Sequence, residues 1–462
     1  MKIFVISLGC PKNSIDTELV LGAIKSCKSD VHITAECEKA DVILINTCGF
    51  IESAVSESIE TVISAGLEKK SDQKLVVMGC MVERYREELA SEMPEIDIFW
   101  GTGNPSLLGR NIVNACSAPY DTSELKTAYF VKDVKRANGG DEHIFSRFVT
   151  TPFWRAYVKI SEGCSNRCTY CLIPGLRGEN ISRPVSGIVR EVNALAEKGV
   201  REVTLVAQDL TSYLYENTDL ADLLTILEKD TDVTWFRLLY LHPSGIGSRL
   251  LEVISESSSV LPYLDIPVQH ASDRILRRMG RNYDTRSLEH LFSNIRKIIP
   301  EAAVRTTVMV GFPGESPEDF LILKNFIKKH RFRHMGCFVY SDEDDCVSYR
   351  FVNKVPGELA EERRKEIMEI QADISMELNS TMIGRTEDVL IEGISPETEL
   401  LLTGRTVFQG HDIDGITYIN SGNAIAGDIV PVKITSSHIY DLVGEIVDDD
   451  RITAENPYCD NH

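Results

Sequence analysis

Three cysteines lie within one short stretch of this 462-residue chain. Cys164, Cys168 and Cys171 form a C-x3-C-x2-C run, and a loop this short keeps their thiolates near one metal centre. A zinc site normally has a fourth protein ligand, which a second cysteine pair often supplies, but no second pair follows here. A four-iron, four-sulfur cluster held by three cysteines has one iron free to bind another molecule. The run therefore favours an iron-sulfur centre with an open iron over a zinc knuckle.

Three further cysteines each follow an apolar run near the amino terminus. Cys10, Cys48 and Cys80 come at or just beyond the ends of these runs, and helical patterns follow them. Alternating strands and helices predict a parallel sheet, and ligands bind at the carboxyl edge of such sheets. We therefore expect these three thiols to converge on a second cluster with an open iron. The runs comprise residues 3–6, 41–45 and 74–78.

Other residues of the first 118 carry weaker signals. Cys27, Cys37 and Cys116 lie in helical or irregular stretches, so we expect them to have ordinary packing roles. Near the predicted strand ends, three polar residues either hydrogen-bond the cluster sulfurs or form ordinary turns. These residues are Asn13, Asn46 and Thr47.

Six strand-like runs alternate with helical patterns between residues 152 and 383. Six consecutive strand-helix units predict an incomplete barrel or a curved parallel sheet. A charged stretch with little periodicity at residues 119–151 separates this region from the first and has the composition of a linker. The runs are residues 156–160, 202–207, 235–241, 263–268, 304–310 and 335–340.

Polar residues at the mouth of such a barrel are candidate ligand contacts, because barrel sites lie at the carboxyl ends of strands. Gln208 and Gln269 follow the second and fourth runs, whereas Arg237 and Tyr340 lie within the third and sixth. Gln208 and Gln269 are alternatively caps or turn residues. An Arg237 that points inward could meet a carboxylate, and a surface ion pair is the alternative for this residue. We expect all four, with Tyr170 beside the last cysteine of the loop, to contact a bound cofactor.

Five short strand-like runs between residues 384 and 447 predict a small barrel of the oligonucleotide-binding type. This segment has three basic residues and ten acidic ones, which repel phosphate groups. The whole chain is also acidic, with a net charge of -21. We therefore expect a basic protein, and not nucleic acid, as the principal partner.

The composition predicts a soluble, cytoplasmic protein. No stretch approaches the roughly 18 apolar residues of a membrane span, and the first apolar run is shorter than the roughly 7 to 15 residues of an export signal. In a reducing compartment the twelve cysteines are more suited to metal ligation or catalysis than to disulfides.

Taken together, these motifs resemble the methylthiotransferase family of radical S-adenosylmethionine enzymes over nearly the whole chain. The C-x3-C-x2-C run with an aromatic residue before its last cysteine is similar to the signature of these radical enzymes. Segments near the other three cysteines are similar to the family's amino-terminal domain, and the last segment is similar to its terminal TRAM module. The matching stretches are residues 8–18, 46–50, 79–80, 174–184 and 427–430.

The resemblance implies two four-iron, four-sulfur clusters and S-adenosylmethionine as cofactors. Cys164, Cys168 and Cys171 would hold the cluster that cleaves S-adenosylmethionine, and an auxiliary cluster on the other three cysteines would carry the sulfur to be transferred. Residues 9–13 and 263–272 resemble the branch that modifies a ribosomal protein. That branch adds a methylthio group to the β-carbon of an aspartate in ribosomal protein twelve of the small subunit, and an electron donor is implied as a further partner.

Two alternatives remain open at this point. A tRNA methylthiotransferase would use the same chemistry, although the acidic terminal segment disfavours it. A metal-stabilised RNA-binding protein without catalysis would show a basic, aromatic surface and bind zinc. The sequence also departs from the family pattern at Glu343-Asp344-Asp345-Cys346, which leaves the shape of that loop and the role of Cys346 undetermined.

Overall fold

The computed structural model describes residues 1–117 and 147–447. It confirms the expected mixed α/β architecture, in which two parallel sheets and a closed five-stranded barrel follow one another along the chain. Most of the expected linker, residues 119–146, lies outside the described residues.

The first sheet has five parallel strands in the order β2-β1-β3-β4-β5. The order reverses between β1 and β3, and the helices after these strands leave on opposite faces, which opens a crevice at the carboxyl ends of the two strands. The elements are β1 (Lys2–Ser7), α1 (Pro11–Cys27), β2 (His32–Ile33), β3 (Val42–Thr47), α2 (Glu52–Glu68), β4 (Lys74–Gly79), α3 (Cys80–Glu92), β5 (Ile98–Trp100) and α4 (Pro105–Ser117).

The second sheet has six parallel strands in sequence order, β6-β9-β12-β13-β14-β15, and is open, as expected for a partial barrel. Helices cover one of its faces, and two short antiparallel pairs, β7-β8 and β10-β11, lie outside the sheet. The elements are β6 (Arg155–Lys159), β7 (Ser161–Glu162), α5 (Ile173–Arg177), β8 (Ile181–Ser182), α6 (Val185–Ala196), β9 (Glu202–Val206), β10 (Leu214–Tyr215), β11 (Thr218–Asp219), α7 (Leu220–Asp230), β12 (Trp235–Leu238), α8 (Ser248–Glu256), β13 (Val260–Asp265), α9 (Asp273–Arg278), α10 (Thr285–Ile298), β14 (Ala303–Val310), α11 (Pro317–His330), β15 (His334–Val339) and α12 (Gly357–Ser380).

Two of these strands end earlier than the sequence predicted. The third was expected to reach residue 241, but β12 ends at Leu238, and Tyr240 has a φ of 68° that takes the chain out of the sheet. The fourth was expected at residues 263–268, but β13 runs from Val260 to Asp265. Pro267 has no N–H to donate, which disfavours continuation of the ladder.

The last segment closes into a barrel in the order β16-β17-β18-β20-β19. Its core joins the second sheet on the face opposite the helices, where Trp235 and Tyr263 pack in the same cluster as Val389 and Phe408. Ile15 of α1 belongs to this cluster too, so all three parts of the chain meet there. The strands are β16 (Thr386–Ser395), β17 (Thr398–Thr406), β18 (Thr417–Ser421), β19 (Ile429–Ser437) and β20 (Leu442–Ile446).

Among the helices that the structure describes, none combines the length and the apolar character that crossing a membrane requires.

Candidate functional site: two groups of cysteines

The C-x3-C-x2-C loop, residues 164–171, is held by backbone contacts with the segment after α5. The Cys164 N–H donates to the carbonyl of Gly178 over 2.9 Å. Gly163, just before the loop, has a φ of 79°, and a Cβ there would lie 2.2 Å from the carbonyl oxygen of Glu179. Because only glycine permits this approach, the Gly-Cys pair of the sequence fixes where the loop begins.

The three thiols of this loop lie within electrostatic reach of one another. Burial raises the pKa of Cys164, and it raises the pKa of Cys171 to about 12, with Cys168 and Cys164 adding to that rise. Partly buried thiolates that repel one another need a cationic centre to hold them in the charged form. Three soft sulfur donors in this arrangement fit three corners of an iron-sulfur cluster.

Two of the expected cofactor contacts, Tyr170 and Tyr340, meet in one aromatic cluster at this loop. The Tyr170 ring lies 6.3 Å from that of Phe312, and Phe312 lies 5.3 Å from Tyr340, both edge to face. Arg281, which no sequence motif indicated, has its guanidinium 6.0 Å from the Tyr170 ring centroid. Aromatic faces and a cation beside the cysteines can position a planar, carboxylate-bearing ligand.

The polar pair after β9 also contacts the cysteine loop. Gln208 Nε2 donates to Glu162 Oε1 over 3.0 Å, and Asn166 Nδ2 donates to Asp209 Oδ2 over 2.8 Å. Gln208 Oε1 is buried and accepts no hydrogen bond from the described residues. A buried acceptor without a donor beside the loop is a suitable contact for a bound ligand.

Gln269 lies in the segment after β13 and not at the strand's end. Its N–H donates to the Thr307 carbonyl over 2.8 Å, and its own carbonyl accepts from the Met309 N–H over 2.7 Å. Its φ of 65° is unusual for a residue with a side chain. The neighbouring His270 is buried, which lowers its pKa to about 3, and it accepts the Ser272 N–H, so it serves as a neutral structural residue.

The structure places Arg237 in the interface between the second sheet and the C-terminal barrel, and not beside the cysteine loop with Gln208. Its Nε donates to Glu202 over 2.6 Å, and its Nη1 donates to the Val407 carbonyl over 3.0 Å. Glu202 also binds Arg405 of the barrel over 2.6 Å. The buried pairing with a carboxylate that the sequence allowed for this residue is therefore the one observed, and Arg237 joins two parts of the chain.

Cys10, Cys48 and Cys80 lie together at the carboxyl edge of the first sheet. Cys10 and Cys48 flank the reversal of strand order between β1 and β3, and Cys80 starts α3 directly after β4. Gly79 has a φ of 107°, and a Cβ there would lie 2.4 Å from Asn46 Oδ1. The close turn at this glycine brings Cys80 back over the strand ends.

The charges near these thiols differ from those at the loop. Burial opposes ionisation of Cys10, but Lys12 and Arg177 outweigh it and lower the pKa of this thiol. Burial raises the pKa values of Cys48 and Cys80, and Arg177 partly offsets that rise at Cys80. Cys10 and Cys80 also lie at the positive amino-terminal ends of α1 and α3, which favour thiolates. The donor set and its positive surroundings fit an anionic cluster.

The three polar residues near the strand ends hold the backbone in place. Asn13 Nδ2 donates to the carbonyls of Leu8 and Thr47, and Asn46 Nδ2 donates to the Asn13 carbonyl over 2.8 Å. Thr47 Oγ1 donates to the Met78 carbonyl over 2.7 Å. Asn46 and Thr47 therefore hold the backbone turns at the strand ends, which is one of the two roles that the sequence allowed for them.

The loop that departs from the family pattern lies between the two groups of cysteines. Cys346 is buried and packs in one apolar cluster with Cys80 and Leu176. Burial raises its pKa to about 12. Arg84 of α3 binds Glu343 over 2.8 Å and also pairs with the two aspartates that follow it, which fixes the loop to the first sheet.

Neither group forms a compact site for a single ion. In residues 1–117 and 147–447, no three His, Cys, Asp or Glu side chains are spaced to hold one metal ion. Thiols that bind separate corners of an iron-sulfur cube do not have to converge on one point.

Family models match all three parts of the chain. Residues 2–101 match the uncharacterized protein family UPF0004, residues 158–327 match the radical SAM superfamily, and residues 383–447 match the TRAM domain.

Curated relatives match nearly the whole chain. The ribosomal protein uS12 methylthiotransferase RimO of Desulfotalea psychrophila is 40% identical over 453 residues, which cover 97% of this chain and 99% of that protein. RimO of Geobacter sulfurreducens and RimO of Aquifex aeolicus are each 41% identical, over 96% of this chain and 98% and 97% of their own lengths. This chain belongs to the RimO family. It is a radical S-adenosylmethionine methylthiotransferase whose cofactors are S-adenosylmethionine and four-iron, four-sulfur clusters.

Solved structures show the same fold at much lower identity. The radical S-adenosylmethionine methyltransferase TsrM from Kitasatospora setae has a TM-score of 0.55 at 12% identity, covering 85% of this chain and 79% of its own. The cobalamin-dependent radical enzyme OxsB has a TM-score of 0.50 at 11% identity, covering 80% of this chain and 56% of its own. These structures support the arrangement of the two sheets.

Proposed function

We propose that this chain adds a methylthio group to the β-carbon of an aspartate in ribosomal protein uS12. The main support for the proposal is the similarity of nearly the full chain, at about 40% identity, to ribosomal protein uS12 methylthiotransferases. The acidic C-terminal barrel agrees with a basic protein as substrate and disfavours tRNA. Because the substrate is a ribosomal protein, we place the enzyme in the cytoplasm.

We assign the two groups of cysteines to two clusters. Cys164, Cys168 and Cys171 would hold the cluster that cleaves S-adenosylmethionine, and the three strand-end cysteines would hold the auxiliary cluster that carries the sulfur. When bound, the cofactors would supply the sulfur, a methyl group from one S-adenosylmethionine and, from a second with an electron from a donor protein, the radical chemistry that removes one hydrogen from the aspartate β-carbon. A radical is suited to this carbon because its C–H bond offers neither an acidic proton nor a leaving group.

The protein's own side chains bind and orient the reactants. Tyr170 and Tyr340, which share the cluster around Phe312, would support S-adenosylmethionine beside the loop. Gln208 offers its buried carbonyl oxygen, and Gln269 holds the backbone at the barrel mouth against β14. Cys346 is buried in one apolar cluster with Cys80 and with Leu172, the residue after Cys171, so this cluster connects the two groups of cysteines.

Anaerobic assay with reductant, S-adenosylmethionine and purified uS12 tests the proposal. Mass spectrometry should show replacement of one hydrogen of uS12 by a methylthio group, located on one aspartate by fragmentation. A uS12 variant with asparagine at that aspartate is the matched control and should remain unmodified. Incorporation into purified tRNA with none into uS12 would contradict the proposal and support the tRNA enzyme instead.

A further inference from the structure

A buried ionic network lies where the first sheet meets the cysteine loop. Arg177 Nη1 donates to Asp16 Oδ2 over 3.1 Å and to Glu162 Oε1 over 3.0 Å. Lys159 Nζ binds the same two carboxylates, over 2.6 Å and 2.5 Å. Asp16 lies in α1, in the part of the chain that forms the first sheet. Lys159, Glu162 and Arg177 lie in the part that forms the second sheet. The network therefore connects two parts of the chain that carry different cysteines.

Arg177 is attached to both groups of cysteines. It ends α5, the helix after the C-x3-C-x2-C loop, and the following Gly178 carbonyl accepts the Cys164 N–H. Its side chain points the other way, since Nη2 donates to Asn13 Oδ1 over 2.7 Å, and this oxygen lies 3.8 Å from Cys10 Sγ. Arg177 also lowers the pKa of Cys80, against the larger effect of burial, which raises it.

The charges around Arg177 explain why its side chain lies near the strand-end cysteines. Lys159 and Arg177 balance Asp16 and Glu162, so the network itself is close to neutral. As cluster ligands, Cys10 and Cys80 would be thiolates and would add negative charge beside the network, and Arg177 is the member that donates to Asn13 next to Cys10. The potential of an iron-sulfur cluster depends on net charge and on hydrogen bonds to its sulfurs.

We infer that Arg177 is a positioning residue for the auxiliary cluster, supplied by the part of the chain that holds the other cluster. Its positive charge and hydrogen bonds favour the more negative, reduced form of the auxiliary cluster. Its contacts also fix the position of one group of cysteines relative to the other. The inference rests on the proposed assignment of Cys10, Cys48 and Cys80 to that cluster. Arg177 would thus act on the auxiliary cluster without binding its iron.

The competing explanation is that Arg177 only joins two parts of the chain. Arg147 does this elsewhere, because its Nε binds Glu18 of α1 and its Nη1 binds Glu191 of α6, each over 2.6 Å. It is as deeply buried as Arg177 and bridges the same two parts of the chain, but it binds the carboxylates of Glu18 and Glu191, whereas Arg177 also donates to Asn13 beside Cys10. Arg147 is therefore the matched control.

The test measures the midpoint potential of the auxiliary cluster alone. In full-length protein with Cys164, Cys168 and Cys171 replaced by alanine, redox titration followed by electron paramagnetic resonance compares Arg177→Gln, Arg177→Lys and Arg147→Gln with the parent. We expect Arg177→Gln to shift the potential to more negative values, Arg177→Lys to shift it less, and Arg147→Gln to leave it unchanged. Equal potentials in Arg177→Gln and the parent would overturn the inference.

Iron and sulfide analysis covers the case in which a variant assembles poorly. Loss of the cluster in Arg177→Gln with retention in Arg147→Gln supports the inference, whereas equal loss in both shows a general effect of the interface and overturns it. A separate assay of the unaltered protein with uS12 tests the proposed function. If that protein fails to modify uS12 while the potential still shifts in Arg177→Gln, the function is wrong and the role of Arg177 stands.

Discussion

The two groups of cysteines are built in opposite ways. Cys164, Cys168 and Cys171 share one loop, so short-range spacing and a few backbone bonds are enough to bring them together. The other three come from segments separated by about 30 to 40 residues and meet only because β1, β3 and β4 are neighbours in one parallel sheet. The first group depends on its loop, whereas the second depends on the whole sheet and on Arg177 from the neighbouring part of the chain.

The largest expected effect is that of Cys168→Ala. Loss of one of three ligands in the loop should abolish formation of 5'-deoxyadenosine and, with it, all methylthio transfer, because no other group in the proposal cleaves S-adenosylmethionine. Chromatography of anaerobic reactions with a strong reductant measures this. Persistent cleavage in this variant would exclude the loop as the source of the radical.

Cys48→Ala should separate the two chemistries. Loss of a strand-end ligand removes the sulfur carrier but leaves the loop intact, so 5'-deoxyadenosine should still form while methylthio transfer stops. The same reactions, analysed for both products, measure the ratio. Transfer at the unaltered rate would refute the division between a radical site and a sulfur site.

Glu202→Gln should lower the stability of the fold without separating 5'-deoxyadenosine formation from methylthio transfer. It removes the carboxylate that pairs with the buried Arg237 and leaves Arg405 with its other partner, Glu392, which we expect to cost about 3–5 kcal/mol in the free energy of unfolding. These arginines hold the pKa of Glu202 well below its ordinary value of 4.5, so its contribution is complete above that pH and is lost as the pH falls. Denaturant titration at neutral and acidic pH measures both effects.

An exposed ion pair provides the control for this variant. Arg385 and Glu301 lie 2.9 Å apart with side chains 44% and 69% exposed, so Glu301→Gln should change the stability by less than about 1 kcal/mol. A comparable loss in both variants would show that burial of the Glu202 network is not the cause.

The smallest expected effect is that of Cys27→Ala. Cys27 is exposed at the end of α1, and no role in either cluster is proposed for it. Iron content, 5'-deoxyadenosine and methylthio transfer should all equal those of the unaltered protein. Loss of one whole cluster would mean that the strand-end ligands are misassigned.

The sequence predicted the local features of this molecule better than its long-range contacts. Apolar periodicity placed the six strands of the second sheet, and the close spacing of Cys164, Cys168 and Cys171 predicted that one loop carries all three. The role of Arg237 depends on Glu202 and on Arg405, which lies 168 residues further along the chain, and no local pattern contains that contact. The same reason hid the network around Arg177, whose partner Asp16 is 161 residues away.

The proposed mechanism requires two clusters held by separate groups of cysteines. Iron and acid-labile sulfide analysis of anaerobically purified protein tests this directly, in the unaltered chain and in two variants that replace one group of three cysteines by alanine. We predict about eight irons and about eight sulfides per unaltered chain, and about four of each in either variant. About four irons in the unaltered chain, or loss of all iron when one group is replaced, would contradict the account.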